Sequence, residues 1–136
     1  MQTISPHAAL IYVMVVVSAA DGSMSEDELR AIGDLTKHLP VFTGFDDHRL
    51  LQVAQECAAI LDEEHGLEAV LGLIRDNLPE HLRETAYWLA LEVALTDSRV
   101  ALEEIRVLEL IRRGLGLDRL AAAALERGAR ARYQTV

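Results

Sequence analysis

Apolar positions recur at helical spacing along almost the whole chain, and no segment alternates at period two for long enough to predict a strand. A first helix is predicted over residues 6–20. Ser5 stands at its N-cap, Pro6 suits the first helical position because its missing N–H has no partner there anyway, and Asp21-Gly22 ends it. A second helix follows Ser25, where Ser25-Glu26-Asp27-Glu28 has the S-x-x-E form of a capping box. Leu29, Ile32, Leu35 and Leu39 would form its apolar face, and Pro40 stops it, leaving residues 41–45 as a short apolar loop.

A third helix is expected to start at Asp46/Asp47, with Leu50, Leu51, Ala54, Cys57, Ala58 and Leu61 on one side. Gly66 separates it from a fourth, where Val70, Leu71 and Ile74 face inward. Asn77-Leu78-Pro79 is the next break, and Pro79 opens a fifth helix carrying Leu82, Ala86, Leu89 and Val93. A sixth begins near Val100 with Ile105, Leu108, Ile111 and Leu115, closed by Gly114 and Gly116; a seventh covers residues 117–130. The expected fold class is all-α, a compact bundle of about seven helices forming one domain over residues 1–136. The first helix is apolar nearly all round, from Ala8 through Val17, which places it at the centre of the bundle. The fifth is its nearest rival.

An internal repeat crosses this string of helices. Asp21 and Asp97, then Glu28 and Glu104, stand at one constant offset of 76 residues (97 − 21 and 104 − 28). At the same offset Val17 meets Val93, Met24 meets Val100, Leu29 meets Ile105, Arg30 meets Arg106, Ile32 meets Leu108 and Tyr12 meets Trp88. The repeated unit is helix, acidic turn, helix, used by the first and second helices and again by the fifth and sixth. Such repetition predicts two hairpins packed with pseudo-symmetry, their acidic turns at one end of the bundle. Capping and turn chemistry alone account for acids at these positions. The alternative is that Asp21, Glu28, Asp97 and Glu104 converge into an oxygen-rich cation site. An EF-hand is excluded, because that loop needs glycine at its sixth position and a bidentate glutamate at its twelfth, whereas Glu28 is the eighth residue from Asp21.

Composition narrows the partners. Hydrophobic residues make up 51% of the chain but aromatics only 4%, so the core is built from Leu, Val, Ile and Ala, which suits helices. A formal charge of −9 repels nucleic acid and anionic membrane surfaces and favours cations or basic protein surfaces. Arg127, Arg130 and Arg132 make the C-terminal segment basic and read as a solvated helix end. Cys57 is the sole cysteine, so no internal disulfide forms, and it reads as a buried inert thiol. The apolar run 8–20 is too short to span a bilayer, and no Lys or Arg precedes it as in a secretory signal. A cytoplasmic protein is expected.

Other chemistry is sparse. Of His7, His38, His48, His65 and His81, only His65 has a carboxylate at the spacing of di-metal helices, as a single Asp62-x-x-His65; a helix-end role at the C-terminal dipole is expected for it. Tyr87 and Trp88 are expected in core or edge packing, with a ligand pocket as the alternative. No nucleophile elbow, Walker loop, dinucleotide fingerprint or H-E-x-x-H occurs, and no enzyme is expected.

The run from Ser18 to Leu29 (S-A-A-D-G-S-M-S-E-D-E-L), with its Asp97…Glu104 echo in an all-α chain, resembles the TerB-like tellurite-resistance family. The resemblance spans the first to the sixth helix. It implies a seven-helix fold and a stress-linked role beside membrane-associated protein partners, without insertion into the membrane. It also implies an acidic cluster holding a calcium-like divalent cation, carried onto Asp21, Glu28, Asp97 and Glu104. Two other classes compete with that reading. One is a protein–protein adaptor, including a homodimer, whose acids only cap helices; the other is a hydrolytic or redox enzyme using a metal in the same cleft.

Overall fold

A computed structural model describes residues 3–20, 22, 24–96, 100 and 102–136. Seven α-helices follow in order: α1 (Pro6–Ala19), α2 (Glu26–His38), α3 (Leu50–Leu61), α4 (Gly66–Asn77), α5 (Arg83–Ala94), α6 (Leu102–Gly114) and α7 (Arg119–Arg132). Among the described residues there is no strand. The ends obey the local rules read from the sequence. Ser5 caps α1 through its side chain, with Pro6 in the first turn. Ser25 and Glu28 close a reciprocal capping box on α2, with both hydrogen bonds formed.

The enclosure of α1 organises everything else. Every residue from Ala8 to Ser18 is buried, and α2, α3, α4, α5 and α6 all pack against this one helix. Burial on all sides is what an apolar helix with no polar stripe demands, because any face left open would hold apolar surface in water. The next most buried helix is α5, which packs on α1, α2 and α6 and carries α7 on its outer side. An aromatic clasp joins the 3-10 turn Pro40–Phe42 to α1: the His7 ring stacks on Phe42 and meets Phe45 edge-on, while its Nε2–H donates to the Val41 carbonyl at 2.9 Å.

Four expectations need correction. Leu29, assigned to the apolar face of α2, is 49% exposed, and its repeat counterpart Ile105 on α6 is 52% exposed. The inward positions are the preceding glutamates, so each buried face is rotated by about one residue. On α3 the buried residues are Val53 and Cys57, whereas Leu51 and Ala58 lie on the exposed side. Short 3-10 turns, Asp47–Arg49 and Glu80–Leu82, precede α3 and α5, so those α-helices start later than the acidic pair and the proline suggest. His65 does not end α3; it precedes α4 in a left-handed conformation (φ 58°), where an N-terminal dipole disfavours a cation.

Among the glycines, Gly66 at the crossing from α3 to α4 meets the closest backbone. A Cβ on Gly66 would clash with the Ile60 carbonyl oxygen and come within 2.6 Å of that of Leu61. Gly33, inside α2, has nothing within 4 Å of the same position. The two glycines therefore yield opposite predictions. Gly66→Ala should lower stability by about 1–3 kcal/mol, since backbone must move to admit the methyl. Gly33→Ala should raise it by about 0.4–1 kcal/mol by restricting the unfolded chain. Urea denaturation of both variants checks this, and an unchanged midpoint for Gly66→Ala would contradict the packing described.

Candidate functional site

Three glutamates are almost completely buried: Glu28 at 2%, Glu92 at 4% and Glu104 at 3% exposure. Burying a carboxylate is costly unless charge or hydrogen bonds compensate it, so each position asks for an account. Glu28 lies in the first turn of α2, where its Oε1 accepts from the Ser25 N–H at 2.9 Å and the helix dipole favours negative charge. Glu104 occupies the equivalent first turn of α6. Their neighbours Glu26, Asp27 and Glu103 are all exposed, so burial selects the two repeat-related acids from each acidic turn.

The end of α1 lies near the start of α6. Ala20, which closes α1, shares a surface depression of about 370 Å³ with Leu102, Glu103, Arg106 and Val107 of α6. Thus the residue before the first acidic turn lies beside the residue preceding Glu104. Ser18, in the last turn of α1, has a buried hydroxyl with no hydrogen-bond partner among the described residues. Asp21 and Asp97, the other two acids expected in the site, lie outside the described residues.

Glu92 was not foreseen as a special residue. Its carboxylate receives Arg132 Nε at 2.5 Å and the Tyr133 hydroxyl at 2.8 Å, tying the end of α7 to α5. The terminal arginines are therefore not simply a solvated helix end. Arg132 is held by a buried acid 40 residues away in sequence (132 − 92), and burial together with the Glu92 carboxylate pushes the Tyr133 phenol above its ordinary range. The available sequence signal was an acid inside an otherwise apolar helix, which needs a cation from elsewhere.

A second group with metal-ligand atoms is Asp46, Asp47 and His48, whose oxygens and nitrogen lie within 4.8 Å of one another. Asp46 Oδ1 accepts from the His48 backbone N–H at 3.0 Å and lies 3.1 Å from its Nδ1, and these contacts hold the Asp46 carboxyl below the usual carboxylate range. That is turn-capping chemistry on an exposed loop. Cys57 is fully buried and packed toward the Tyr12 carbonyl, and burial pushes its thiol from 9.0 up to about 12. A nucleophilic thiolate is not available there.

Comparison with known proteins agrees with the helical architecture. The family model described as Tellurite resistance protein TerB matches residues 7–127. Searches of curated proteins and of solved structures returned no match.

Burial also sets an alkaline limit. Cys57 is raised from 9.0, and Tyr87 from 10.0, each to about 12, both chiefly by removal from water. The unfolded chain releases these protons first, so the stability they contribute is complete below pH 9 and drains away as the pH rises toward 12. The urea midpoint should fall steadily above pH 9, and Cys57→Ala should flatten the first part of that decline. A midpoint independent of pH over that window would mean that these groups ionise in the fold.

Proposed function

Because the chain belongs to the TerB tellurite-resistance family, we propose that it is a non-enzymatic, cytoplasmic stress-response module that binds a divalent cation through its repeated acidic turns. The observation that carries this reading is the burial of Glu28 and Glu104 at equivalent positions of two hairpins, beside exposed acids that would have sufficed for capping. The donor set fits a hard cation: carboxylate oxygens, with the unpartnered Ser18 hydroxyl buried at the same end of α1. Glu28 and Glu104 would hold the ion, joined by Asp21 and Asp97. The ion would neutralise carboxylates taken out of water and tie the start of α2 to the start of α6.

Cation loading then becomes a means of presenting a surface to protein partners, including membrane-associated ones. Among the described residues no helix is long and apolar enough to cross a membrane, so such an encounter is peripheral. The exposed pair Leu29 and Ile105, each following one of the buried glutamates, supplies apolar contact next to the proposed site. The net charge of −9 argues against nucleic acid as the partner.

One observation favours a second reading. Glu28 already completes a capping box, so the acids serve helix starts in an adaptor or homodimer without any ion. Calcium titration of the 15N-labelled chain separates the two. Ion binding predicts saturable amide shifts at residues 18–28 and 97–104, with a rise in melting temperature that grows with calcium. Glu28→Gln and Glu104→Gln should each weaken binding by at least tenfold. No saturable shift with calcium, magnesium or zinc would leave the adaptor reading standing.

A further inference from the structure

A cleft of about 490 Å³ opens between α5, α6 and α7, away from the Ala20 depression. Its floor is apolar, built from Leu91, Leu95 and Leu108, and its size lies within the range of small-molecule sites. Tyr87 lines it. This ring is 3% exposed, yet among the described residues its hydroxyl makes no hydrogen bond. Two charged residues of the cleft, Glu126 and Arg112, act on this phenol. Arg112 and Arg130 line the cleft as well, and neither has a carboxylate within ion-pairing distance among the described residues. Of the two acids on the rim, Glu109 is occupied by Arg113 at 2.7 Å, which leaves Glu126 as the only counter-charge.

The internal repeat supplies a second, independent observation. At the 76-residue offset Tyr87, Leu91 and Leu108 correspond to Ile11, Val15 and Ile32, all buried at 2% exposure or less. Glu109 and Arg112 correspond to Gly33 and Thr36. The two hairpins differ chiefly on the α6 side, where Leu108 and Arg112 are half-buried and their counterparts Ile32 and Thr36 are buried, while a phenol, Tyr87, replaces Ile11. Packing alone would not require polar heads at those points of the second hairpin. In a chain of net charge −9, a rim with two arginines and two glutamates is locally balanced rather than acidic.

We propose that this cleft binds a single-chain amphipathic carboxylate, its alkyl body on Leu91, Leu95 and Leu108 and its carboxylate on Arg112, Arg130 and the Tyr87 hydroxyl. The phenol serves as donor because a tyrosine hydroxyl is protonated at neutral pH. Arginine's planar fork suits a carboxylate, whereas an alkylammonium would meet two positive charges in its place. This site goes beyond the cation reading and uses none of its four acids, although Ile105 borders both.

Decanoate, kept below micelle formation, is the probe for the full-length 15N-labelled chain. The expected result is a saturable set of shifts at Tyr87, Leu91, Leu108 and Arg112, with decanol and decylamine each binding at least tenfold more weakly. Arg112→Gln and Tyr87→Phe should each cost about tenfold in affinity, as for loss of a charge-assisted hydrogen bond. Both variants are to be confirmed folded by circular dichroism, and the wild-type titration stands without them. In this titration the proposal is overturned by no saturable shift, by decylamine binding as well as decanoate, or by shifts confined to Leu39, Trp88 and Leu125 around the neighbouring apolar groove. Binding to phosphatidylglycerol vesicles without binding of monomeric decanoate would also overturn it, since a membrane surface would then be the ligand.

Discussion

Removing one apolar helix from water is the constraint to which the rest of this molecule conforms. From Ala8 to Val17, α1 offers no polar face, so hydrophobic burial requires partners on every side rather than along one stripe. Five helices supply them. Leu10 and Ile11 are wholly buried, and truncating side chains of this kind typically costs about 2–5 kcal/mol, a large fraction of the margin of a domain this size. Such a centre tolerates little change, and chemistry is consequently found at the periphery of α1, where its neighbours begin and end.

The internal repeat places that chemistry. A helix hairpin used twice gives α2 and α6 equivalent starts, and each start buries one glutamate while leaving the following apolar residue in solvent. This arrangement inverts the usual preference of both residue types. At Glu28 the capping box and helix dipole offset part of the desolvation. The two hairpins then diverge: the first closes tightly over Ile11 and Ile32, whereas the second opens into a cleft edged by Tyr87 and Arg112. One scaffold unit has in this way yielded a packed half and an accessible half.

The helix α7 is held differently from the others. It reaches the bundle through α5, and its end is secured by Arg132 and Tyr133 on the Glu92 carboxylate. A buried acid inside an apolar helix is expensive unless paired, and the pair in turn specifies where the last helix must stop. The ion pair thus does for α7 what hydrophobic enclosure does for α1. It also positions the neighbouring turn of α7, from which Arg130 borders the cleft.

Helix number, order and caps were legible in the sequence because those signals are local. Ser5 with Pro6, the Ser25/Glu28 box and the break at Asn77-Leu78-Pro79 act within a turn or two of the residues that carry them. The central place of α1 and the 76-residue repeat were legible too, since an all-apolar helix and a constant offset are properties of the chain itself. The burial of Cys57 was legible, whereas the rotation of the buried faces onto Glu28, Glu104 and Val53 was not. Periodicity defines an apolar stripe only to within about a residue, and distant helices decide which edge of it they cover. For the same reason the pairing of Arg132 with Glu92 and the opening of the second hairpin beside Tyr87 belong to the tertiary structure alone. Both join segments whose separation along the chain carries no local signal, and only the packing of the bundle brings them within reach.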